Sequence, residues 1–331
     1  MRANGTLLLR RSDVEELLGL TDCLDAVEEI FRLQGEGKVP PPKILGVNAP
    51  GGGLHVKAGL LPCYKNYLVA KLNANFPGNN ARFGLPTIQG VIVMFDAENG
   101  APLAILDSID ITIKRTAAAS AVAAKYLARA DSSVATICGC GQQGRAQLRA
   151  LHLVLPLTKI YVFDVNERAA IDLRNEISPE LKIDIEPIQD LASAIQKSDV
   201  CVTCTTSNEA FVRKEDVRPG TFIAAVGADN EDKQEIDSAL IALAKVVADS
   251  LEQSCAIGDV HHPIAHGLMR KEDVYAELCE IVAGQKIGRD ADDEIIVFDS
   301  TGIAIEDAVT AAAVYERALA NNIGSVFNFA A

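Results

Sequence analysis

The stretch VATICGCGQQGR, residues 134–145, decides the fold of this chain. An apolar, β-branched run leads into a G-x-G-x-x-G turn formed by Gly139, Gly141 and Gly144, and a helical pattern follows. A second apolar run ends on Asp164, about twenty residues after the last glycine. A strand, a glycine turn, a helix, a second strand and an acid in this order predict a dinucleotide-binding site. The alternative is an ordinary turn between a strand and a helix.

Each residue of this pattern has an expected role. Gly139 allows the tight turn, Gly141 lets the backbone approach a pyrophosphate, and Gly144 lets the helix lie close to the sheet. The helix N-terminus offers N–H groups and a positive dipole end to the phosphates. The Asp164 carboxylate would accept hydrogen bonds from ribose hydroxyls and repel a 2′-phosphate, which favours NAD over NADP. Arg168 would weaken that preference, unless it is an ordinary solvated helix residue.

The composition is that of a globular protein with two domains of ordinary size. Apolar residues make up 49% and charged residues 23% of the chain, and no apolar run approaches the ~18–20 residues that span a bilayer. The net charge of −14 and the scattered Lys and Arg residues predict that neither nucleic acid nor an anionic membrane is a partner. The apolar run near the N-terminus is too short for a signal peptide, so a cytoplasmic location is expected.

The eight cysteines are interpreted as small, buried apolar residues. Cys201 and Cys204 match C-x-x-C, but a redox pair belongs at the start of a helix, and these residues lie in a strand-like run. The segment His261–His266 lacks a helical pair of histidines with an acid between them. We therefore predict a polar loop there, and no metal site.

The first part of the chain is predicted to be a mixed α+β domain. A helix should begin at Thr21 and end before Pro40–Pro42, and residues 43–106 have a β-rich texture. The turn signal Asp96–Gly100 predicts a hairpin. A long Ala-rich helix should follow, from about Asp110 to Arg129.

Strand-like runs alternate with helical patterns from Ser133 to about Ile305. This alternation predicts a doubly wound parallel sheet of Rossmann type, so the expected fold class is α/β with an additional α+β domain. The tail from Asp307 to Asn321 is again helical and should return to the first domain. The expected boundaries are residues 1–125 with 308–331 for the α+β domain and 126–307 for the Rossmann domain.

Three charged residues stand in otherwise apolar settings. Lys71 interrupts a strand, Arg115 lies on the Ala-rich helix, and Asp229 follows the end of a strand. Buried charges need partners and often mark sites. Each residue also has an ordinary interpretation: an edge-strand residue, a helix-surface residue and a helix cap, respectively.

Together these segments resemble the ornithine cyclodeaminase/μ-crystallin family over nearly the whole chain. That family contains NAD-dependent cyclodeaminases, amino acid dehydrogenases of the alanine type, imine reductases and an NADPH-binding crystallin. The resemblance implies a homodimer, with dimerisation and substrate binding in the α+β domain and a substrate site between the two domains. The most specific matching pieces are Lys71–Gly78, Gly84–Thr87, Thr112–Ser120, Gly139–Gly144, Val226–Asp229 with Lys233 and Glu235, and Phe298–Gly302.

The resemblance also implies roles for single residues. Lys71 and Arg115 would clamp the α-carboxylate of an amino acid, and Lys43 would assist where the family often has an arginine. Asp229 would be the acid/base at the substrate nitrogen and, with Lys71, would form the catalytic set. Ser300 would lie near both nicotinamide and substrate. The residues implied to bind NAD are Thr87, Arg115, Gly139, Gly141, Gln142, Gln143, Gly144, Asp164, Val165, Arg168, Thr205, Val226, Lys233 and Ser300.

One departure from the family concerns the substrate. Cyclodeaminases carry a glutamate followed by Met-Pro near the position of Leu54, to hold the distal amine, whereas this chain has His55 and Lys57 there. A cationic Lys57 would repel a protonated δ-amine and attract an anion or a carbonyl. Strand alternation puts Lys57 on the same face as His55, but both could point away from the substrate. If they face it, ornithine is disfavoured and a small or acidic amino or imino acid is favoured.

The predicted function is that of an NAD(H)-dependent oxidoreductase acting on the Cα–N bond of such a substrate, as an amino acid dehydrogenase or an imine reductase. Fixing the carboxylate would aim the Cα–H bond at the nicotinamide, and a carboxylate near the nitrogen would move its proton. One alternative is a cyclodeaminase, a lyase that uses NAD catalytically. A second is a non-catalytic binding protein like the crystallin, against which the set Lys71, Arg115 and Asp229 argues.

Overall fold

The computed structural model describes residues 5–62 and 65–329. The chain divides into two compact units, one built from Met1–Arg115 and Ile303–Ala331 and the other from Thr116–Gly302. The described residues leave out parts of the predicted α+β domain, namely residues 1–4, 63–64 and 330–331. Cys63 is among them.

A seven-stranded sheet forms the centre of the first unit. Its strands are β1 (Thr6–Leu9), β2 (Lys43–Ala49), β3 (Gly52–Leu61), β4 (Tyr67–Asn75), β5 (Ile88–Asp96), β6 (Pro102–Asp107) and β15 (Ser325–Phe327). The strand order is β15-β1-β6-β5-β4-β3-β2. β1 and β6 pair in parallel, and the other neighbours are antiparallel. The expected β5–β6 hairpin is confirmed, with Gly100 at a φ of +75° in its turn.

Helices α1 (Arg11–Leu17) and α12 (Ala304–Asn321) pack on this sheet, and α2 (Leu20–Gly35) packs on α12. The short helix α3 (Asn79–Phe83) has no buried residue, and α4 (Ile109–Leu127) begins in the first unit and continues into the second. α12 packs on β3 and β4 and against α2. Side chains alternate along β4, so Tyr67, Val69 and Lys71 are buried whereas Leu68 is exposed.

The opposite face of strands β2–β5 carries exposed apolar side chains, and we call it the apolar sheet face. The antiparallel register pairs Val47 with Leu54, Leu68 with Leu60 of the neighbouring strand, and Val91 with Leu72, which places these side chains on one face. Val47 is 52% exposed and Leu68 is 44% exposed. A contiguous exposed apolar face of this kind is typical of an interaction surface.

The second unit contains the predicted doubly wound sheet, with eight parallel strands in the order β13-β12-β14-β11-β10-β7-β8-β9. Its strands are β7 (Val134–Cys138), β8 (Lys159–Phe163), β9 (Asp184–Pro187), β10 (Val200–Thr203), β11 (Phe222–Ala225), β12 (Lys245–Ala248), β13 (Ala276–Glu277) and β14 (Ile296–Asp299). Its helices are α5 (Gln142–Val154), α6 (Glu167–Leu181), α7 (Leu191–Lys197), α8 (Ser238–Ile241), α9 (Leu251–Ile257), α10 (His261–Ala265) and α11 (Leu278–Val282), with 3₁₀ turns at Lys214–Asp216 and Lys271–Asp273. The central strands are buried on both faces, which explains their continuous apolar sequences.

Some predicted elements differ from the structure. The segment predicted as a polar loop at His261–His266 contains the short helix α10, because its proline lies in the first turn, where it costs no hydrogen bond. The helix predicted from Asp307 begins three residues earlier, at Ala304, so Asp307 lies in its first turn. Four short strands, β1, β9, β13 and β15, were not among the predicted elements. No helix among the described residues is long and apolar enough to cross a membrane.

Candidate active site

The glycine turn lies where the parallel sheet reverses its order. β7 and β10 are neighbours there, and doubly wound sheets bind ligands at such a point. Gly139 has a φ of +99°, and a Cβ atom there would lie 2.7 Å from the carbonyl oxygen of Cys204. Both observations require glycine, so the expected tight turn at Gly139 is confirmed.

Gly144 and Gly141 differ in their surroundings. A Cβ atom on Gly144 would overlap the carbonyl oxygen of Gly139, because α5 lies close to the strand before it. A Cβ atom on Gly141, at the N-cap of α5, would meet nothing within 4 Å. The turn therefore leaves open space in front of the first residues of α5, Gln142 and Gln143. This arrangement fits a pyrophosphate, which binds N–H groups at a helix N-terminus.

Asp164 lies directly after β8 and beside the glycine turn. Its Oδ2 accepts a hydrogen bond from the backbone N of Cys140 at 2.8 Å, and its Oδ1 accepts a second backbone hydrogen bond at 2.9 Å. Val165, the next residue, is 95% exposed, so it offers an apolar surface beside the carboxylate. Arg168 forms an ion pair with Asp172 at 2.9 Å, within α6.

Glu235 joins the loops that follow β10 and β11. Its Oε1 accepts hydrogen bonds from the backbone N and the Oγ1 of Thr205, both at 2.6 Å, and its Oε2 accepts one from the backbone N of Gly227 at 2.8 Å. A Cβ atom on Gly227 would lie 2.5 Å from this carboxylate, so a larger residue there would displace the Glu235 side chain. Burial raises the pKa of the Glu235 carboxyl, although the hydrogen bonds from Thr205 oppose the shift. Sequence reasoning did not identify this role of Glu235.

Asp229 lies in the loop after β11 and is paired with Lys233. The Nζ of Lys233 is 2.7 Å from the Oδ1 of Asp229 and donates a hydrogen bond to the carbonyl oxygen of Gly227 at 3.3 Å. The Asp229 side chain is 46% exposed, so a molecule from solution can reach it. The next helix, α8, begins only at Ser238, so the interpretation of Asp229 as a helix cap is wrong. Lys233 holds Asp229 in this structure.

The ends of β10, β11 and β14 place two more predicted residues. The backbone N of Val226 donates to the carbonyl oxygen of Thr203 at 2.8 Å, and that of Ser300 donates to the carbonyl oxygen of Ala225 at 2.9 Å. Ser300 is 3% exposed, and its Oγ has no hydrogen-bond partner among the residues described. A buried hydroxyl of this kind suits a ligand that can supply the missing hydrogen bond.

In the first unit, Lys71 and Arg115 share one carboxylate. The Lys71 Nζ is 2.6 Å from the Oδ2 of Asp307, and the Arg115 Nε is 2.9 Å from the Oδ1 of the same residue. A second nitrogen of Arg115, NH1, is 2.9 Å from the Oε2 of Glu306. All four side chains are buried. The pairing of Glu306 and Asp307 with these cations was not predicted from the sequence.

The charge state of this cluster follows from its burial. Burial lowers the pKa of the Lys71 ammonium to about 7, opposed by the charge of Asp307, while the charges of Arg115 and Lys57 lower it further. Burial raises the pKa of Asp307, but Arg115 and Lys71 outweigh that effect and hold it below its usual value. Asp307 is therefore an anion, and Lys71 titrates near neutral pH.

The sheet register decides which way Lys57 and His55 point. Lys57 lies directly opposite Lys71, and His55 lies opposite Asn73. Directly opposed residues of antiparallel strands share a face, so both lie on the sheet face that carries Lys71. Of the two orientations left open by the sequence, the structure therefore places Lys57 on the side of the buried cation cluster.

The register does not bring Lys43 to the same side. Lys43 lies opposite Ala58, so it belongs to the apolar sheet face, opposite to the face of Lys71. The expectation that Lys43 helps these cations is not supported by its position. Thr87 is exposed just before β5, and its carbonyl oxygen accepts a hydrogen bond from the backbone N of Phe76 at 2.9 Å.

The histidines in and directly after α10 make ordinary hydrogen bonds. His262 Nε2 lies 2.8 Å from the carbonyl oxygen of Lys233, and His266 Nδ1 lies 3.3 Å from the Oγ of Ser238. Across residues 5–62 and 65–329, no group of three His, Cys, Asp or Glu side chains is placed to hold a metal ion.

The parallel sheet, its glycine turn and the acid after the second strand define a dinucleotide-binding protein of the doubly wound class. The sequence matches the model of the Ornithine cyclodeaminase/mu-crystallin family over residues 4–322. The chain belongs to this family.

Solved structures of named enzymes resemble this chain along its whole length. An archaeal alanine dehydrogenase, a dimer with bound NAD, is 38% identical with a TM-score of 0.93, covering 98% of this chain and 99% of that one. A Thermococcus litoralis Delta(1)-pyrroline-2-carboxylate reductase with NADH and L-proline is 38% identical with a TM-score of 0.92, covering 97% and 100%. The iminosuccinate reductase of Paracoccus denitrificans with NAD+ is 30% identical with a TM-score of 0.89, covering 98% and 99%.

The glycine turn offers a matched pair of substitutions. Gly144→Ala should lower the free energy of unfolding by about 1–3 kcal/mol, because the added methyl group overlaps a backbone carbonyl. Gly141→Ala places its methyl group in open space, so the loss should stay within about 0.5 kcal/mol. Chemical denaturation followed by circular dichroism measures both, and equal losses would contradict the packing described for Gly144.

Proposed function

We propose that this protein is an NAD(H)-dependent oxidoreductase acting on the Cα–N bond of a small or acidic amino or imino acid, as an amino acid dehydrogenase or an imine reductase. The observation that carries the proposal is the full-length likeness to three structures solved with NAD, NADH or NAD+. The compounds in the names of these enzymes share one chemical feature, an amino or imino group on the carbon next to a carboxylate.

The second unit fits the dinucleotide. The open space at Gly141 admits a pyrophosphate, the Asp164 carboxylate suits the ribose hydroxyls, and exposed Val165 suits the adenine. Bound NAD supplies a nicotinamide that accepts or donates a hydride. The proposed NAD-binding residues are Thr87, Arg115, Gly139, Gly141, Gln142, Gln143, Gly144, Asp164, Val165, Arg168, Thr205, Val226, Lys233 and Ser300.

Lys71 and Arg115 are proposed to bind the substrate carboxylate. Both cations contact Asp307, and Lys57 lies on the same sheet face. A substrate carboxylate bound there would pair with these cations in a site shielded from water, where ion pairing is strong. We propose that Lys57, His55 and Ser300 complete the substrate contacts.

Lys57 also supports a choice of substrate class. A protonated distal amine would meet a third cation beside Lys71 and Arg115, whereas a small side chain or a second carboxylate would not be repelled. This argument favours a small or acidic substrate over ornithine.

Asp229 is proposed as the acid/base at the substrate nitrogen. An amine must lose a proton before the Cα–H bond gives up its hydride, and an imine must gain one in reverse. The partly exposed Asp229 carboxylate, held by Lys233 at 2.7 Å, can carry that proton.

The test of the function is a spectrophotometric screen at 340 nm. Amino acids are offered with NAD, and keto acids with ammonia or methylamine are offered with NADH. We expect a net change of NADH that equals product formed, with a clear preference for NAD(H) over NADP(H) because Asp164 repels a 2′-phosphate. Ammonia and proline formed from ornithine without net NADH would establish the cyclodeaminase alternative. Tight cofactor binding with no turnover of any substrate would favour the crystallin-like one.

Asp229→Asn should lower kcat by ~10²–10⁴-fold. Asparagine keeps the shape and the hydrogen bonding of the side chain but cannot carry the proton. NADH affinity, measured by fluorescence titration, should stay near that of the wild type. The exposed neighbour Asp232 provides the control, Asp232→Asn, which should keep full activity. An equally active Asp229→Asn enzyme would remove the proposed acid/base.

We also propose a homodimer formed through the apolar sheet face, since the archaeal alanine dehydrogenase is described as a dimer. Leu68→Glu puts a charge on this face and should shift the protein from dimer to monomer in sedimentation or light-scattering measurements. Leu243→Glu provides the control, because Leu243 is 62% exposed in the second unit, and that variant should remain dimeric. A monomeric wild type, or a dimer unaffected by Leu68→Glu, would contradict this interface.

A further inference from the structure

Asp307 is in contact with both cations of the proposed carboxylate clamp. Its two oxygens divide between them, Oδ2 at 2.6 Å from the Lys71 Nζ and Oδ1 at 2.9 Å from the Arg115 Nε. The Asp307 side chain is 1% exposed, and those of Lys71 and Arg115 are 5% and 6% exposed. Two like charges this close, without water, repel each other strongly unless an anion lies between them.

We propose that Asp307 is a positioning residue, which holds Lys71 and Arg115 in the geometry that binds one substrate carboxylate and supplies the negative charge that keeps Lys71 cationic. The inference rests on the proposed function for the use of these cations. The effect of Asp307 on Lys71 itself does not depend on any substrate.

The surroundings of Lys71 show why Asp307 decides its charge. β3 contributes Lys57 opposite Lys71, α4 contributes Arg115, and β5 contributes the apolar Ile92. α12 contributes both carboxylates, of which Asp307 is the one in contact with Lys71. Glu306 contacts Arg115 instead.

The direction of the effect follows from these charges. Burial lowers the pKa of Lys71 to about 7, the charge of Asp307 opposes that shift, and the two neighbouring cations add to it. Lys71 is cationic below its pKa and neutral above it. Removing the charge of Asp307 therefore lowers the pH at which Lys71 loses its proton, and with it the upper pH limit for capture of a carboxylate.

The direct test is an NMR titration of protein labelled with ¹³C at the lysine Cε, which needs no substrate. The resonance that Lys71→Arg removes is that of Lys71. In the wild type it should titrate near pH 7. In Asp307→Asn the midpoint should fall by about 1–3 pH units, the range for an opposite charge at contact distance.

Glu306→Gln is the matched control, since Glu306 is the adjacent buried carboxylate of the same helix. It should move the Lys71 midpoint by less than Asp307→Asn does, because its contact is with an arginine that does not titrate. Equal midpoints in the wild type and Asp307→Asn, or a larger shift in Glu306→Gln, would overturn the role of Asp307.

Kinetics test the positioning. For the substrate found in the 340 nm screen, Asp307→Asn should raise KM more than tenfold, while kcat should fall by a smaller factor. The alkaline limb of the pH profile of kcat/KM should move to lower pH together with the NMR midpoint. Asp307→Glu keeps the charge but displaces it by one methylene, so its KM should rise while the limb stays within about a unit of the wild type. That variant also carries the test if Asp307→Asn does not fold. An unchanged KM would overturn the positioning.

The two failures are distinguishable. A wild type that turns over no amino or imino acid contradicts the proposed function, whereas the NMR midpoints still decide the role of Asp307. Normal turnover with an unshifted Lys71 midpoint in Asp307→Asn contradicts only the inference.

Discussion

Two cations can remain buried in the first unit only because two carboxylates meet them there. Taking Lys71 or Arg115 out of water costs several kcal/mol, and leaving one unpaired would cost about 3–5 kcal/mol. The compensation comes from α12, which starts at Ala304 and so presents Glu306 and Asp307 in its first turn. The position of this helix start on β3 and β4 thus determines whether the sheet can carry charge on its covered face.

The second unit buries carboxylates instead of cations, and it stabilises them by different means. Glu235, Asp259 and Asp299 are fully buried, and none of them has a cationic partner in the described part of the chain. Backbone N–H groups serve instead: Asp259 Oδ1 accepts hydrogen bonds from the N atoms of Glu235 and Ile236 at 2.7 and 2.9 Å, and Asp299 accepts one from Val260 at 3.0 Å. Burial raises the pKa of all three carboxyls. These acids fix loops at the ends of the strands, whereas the carboxylate of Asp229 remains partly exposed and pairs with Lys233.

Local signals made part of this structure predictable. The turn at Gly139 and Gly144 could be inferred because its main requirements are local: Gly139 has a φ of +99°, and a Cβ atom on Gly144 would overlap the carbonyl oxygen of Gly139. The hairpin after Asp96 could be inferred because its turn residues are contiguous. The pairing of Arg115 with Asp307 spans 192 positions, and an acid in the first turn of a helix is ordinarily a favourable charge for the helix dipole. No local sequence signal distinguishes an acid that stabilises the helix dipole from an acid that pairs with a distant, buried cation. Likewise, the sheet face on which Lys57 and Lys43 lie could be assigned only from the register of three strands. Alternation alone relates residues within a single strand.

The discontinuous make-up of the first unit has a consequence for how the chain folds. β1 pairs with β6 on one side and with β15 on the other, and the carboxylates for Lys71 and Arg115 arrive with α12. During synthesis from the N-terminus, the sheet therefore stays incomplete until residues 303–329 have been made. Until then, its two cations lack their carboxylates and the edge of β1 lacks its partner strand. The second unit, which is continuous from Thr116 to Gly302, is complete before them and can fold first. Contacts between distant parts of a chain form slowly and leave surfaces exposed to aggregation in the meantime. The first unit, which carries the apolar sheet face, is therefore the part of this protein that stays exposed longest.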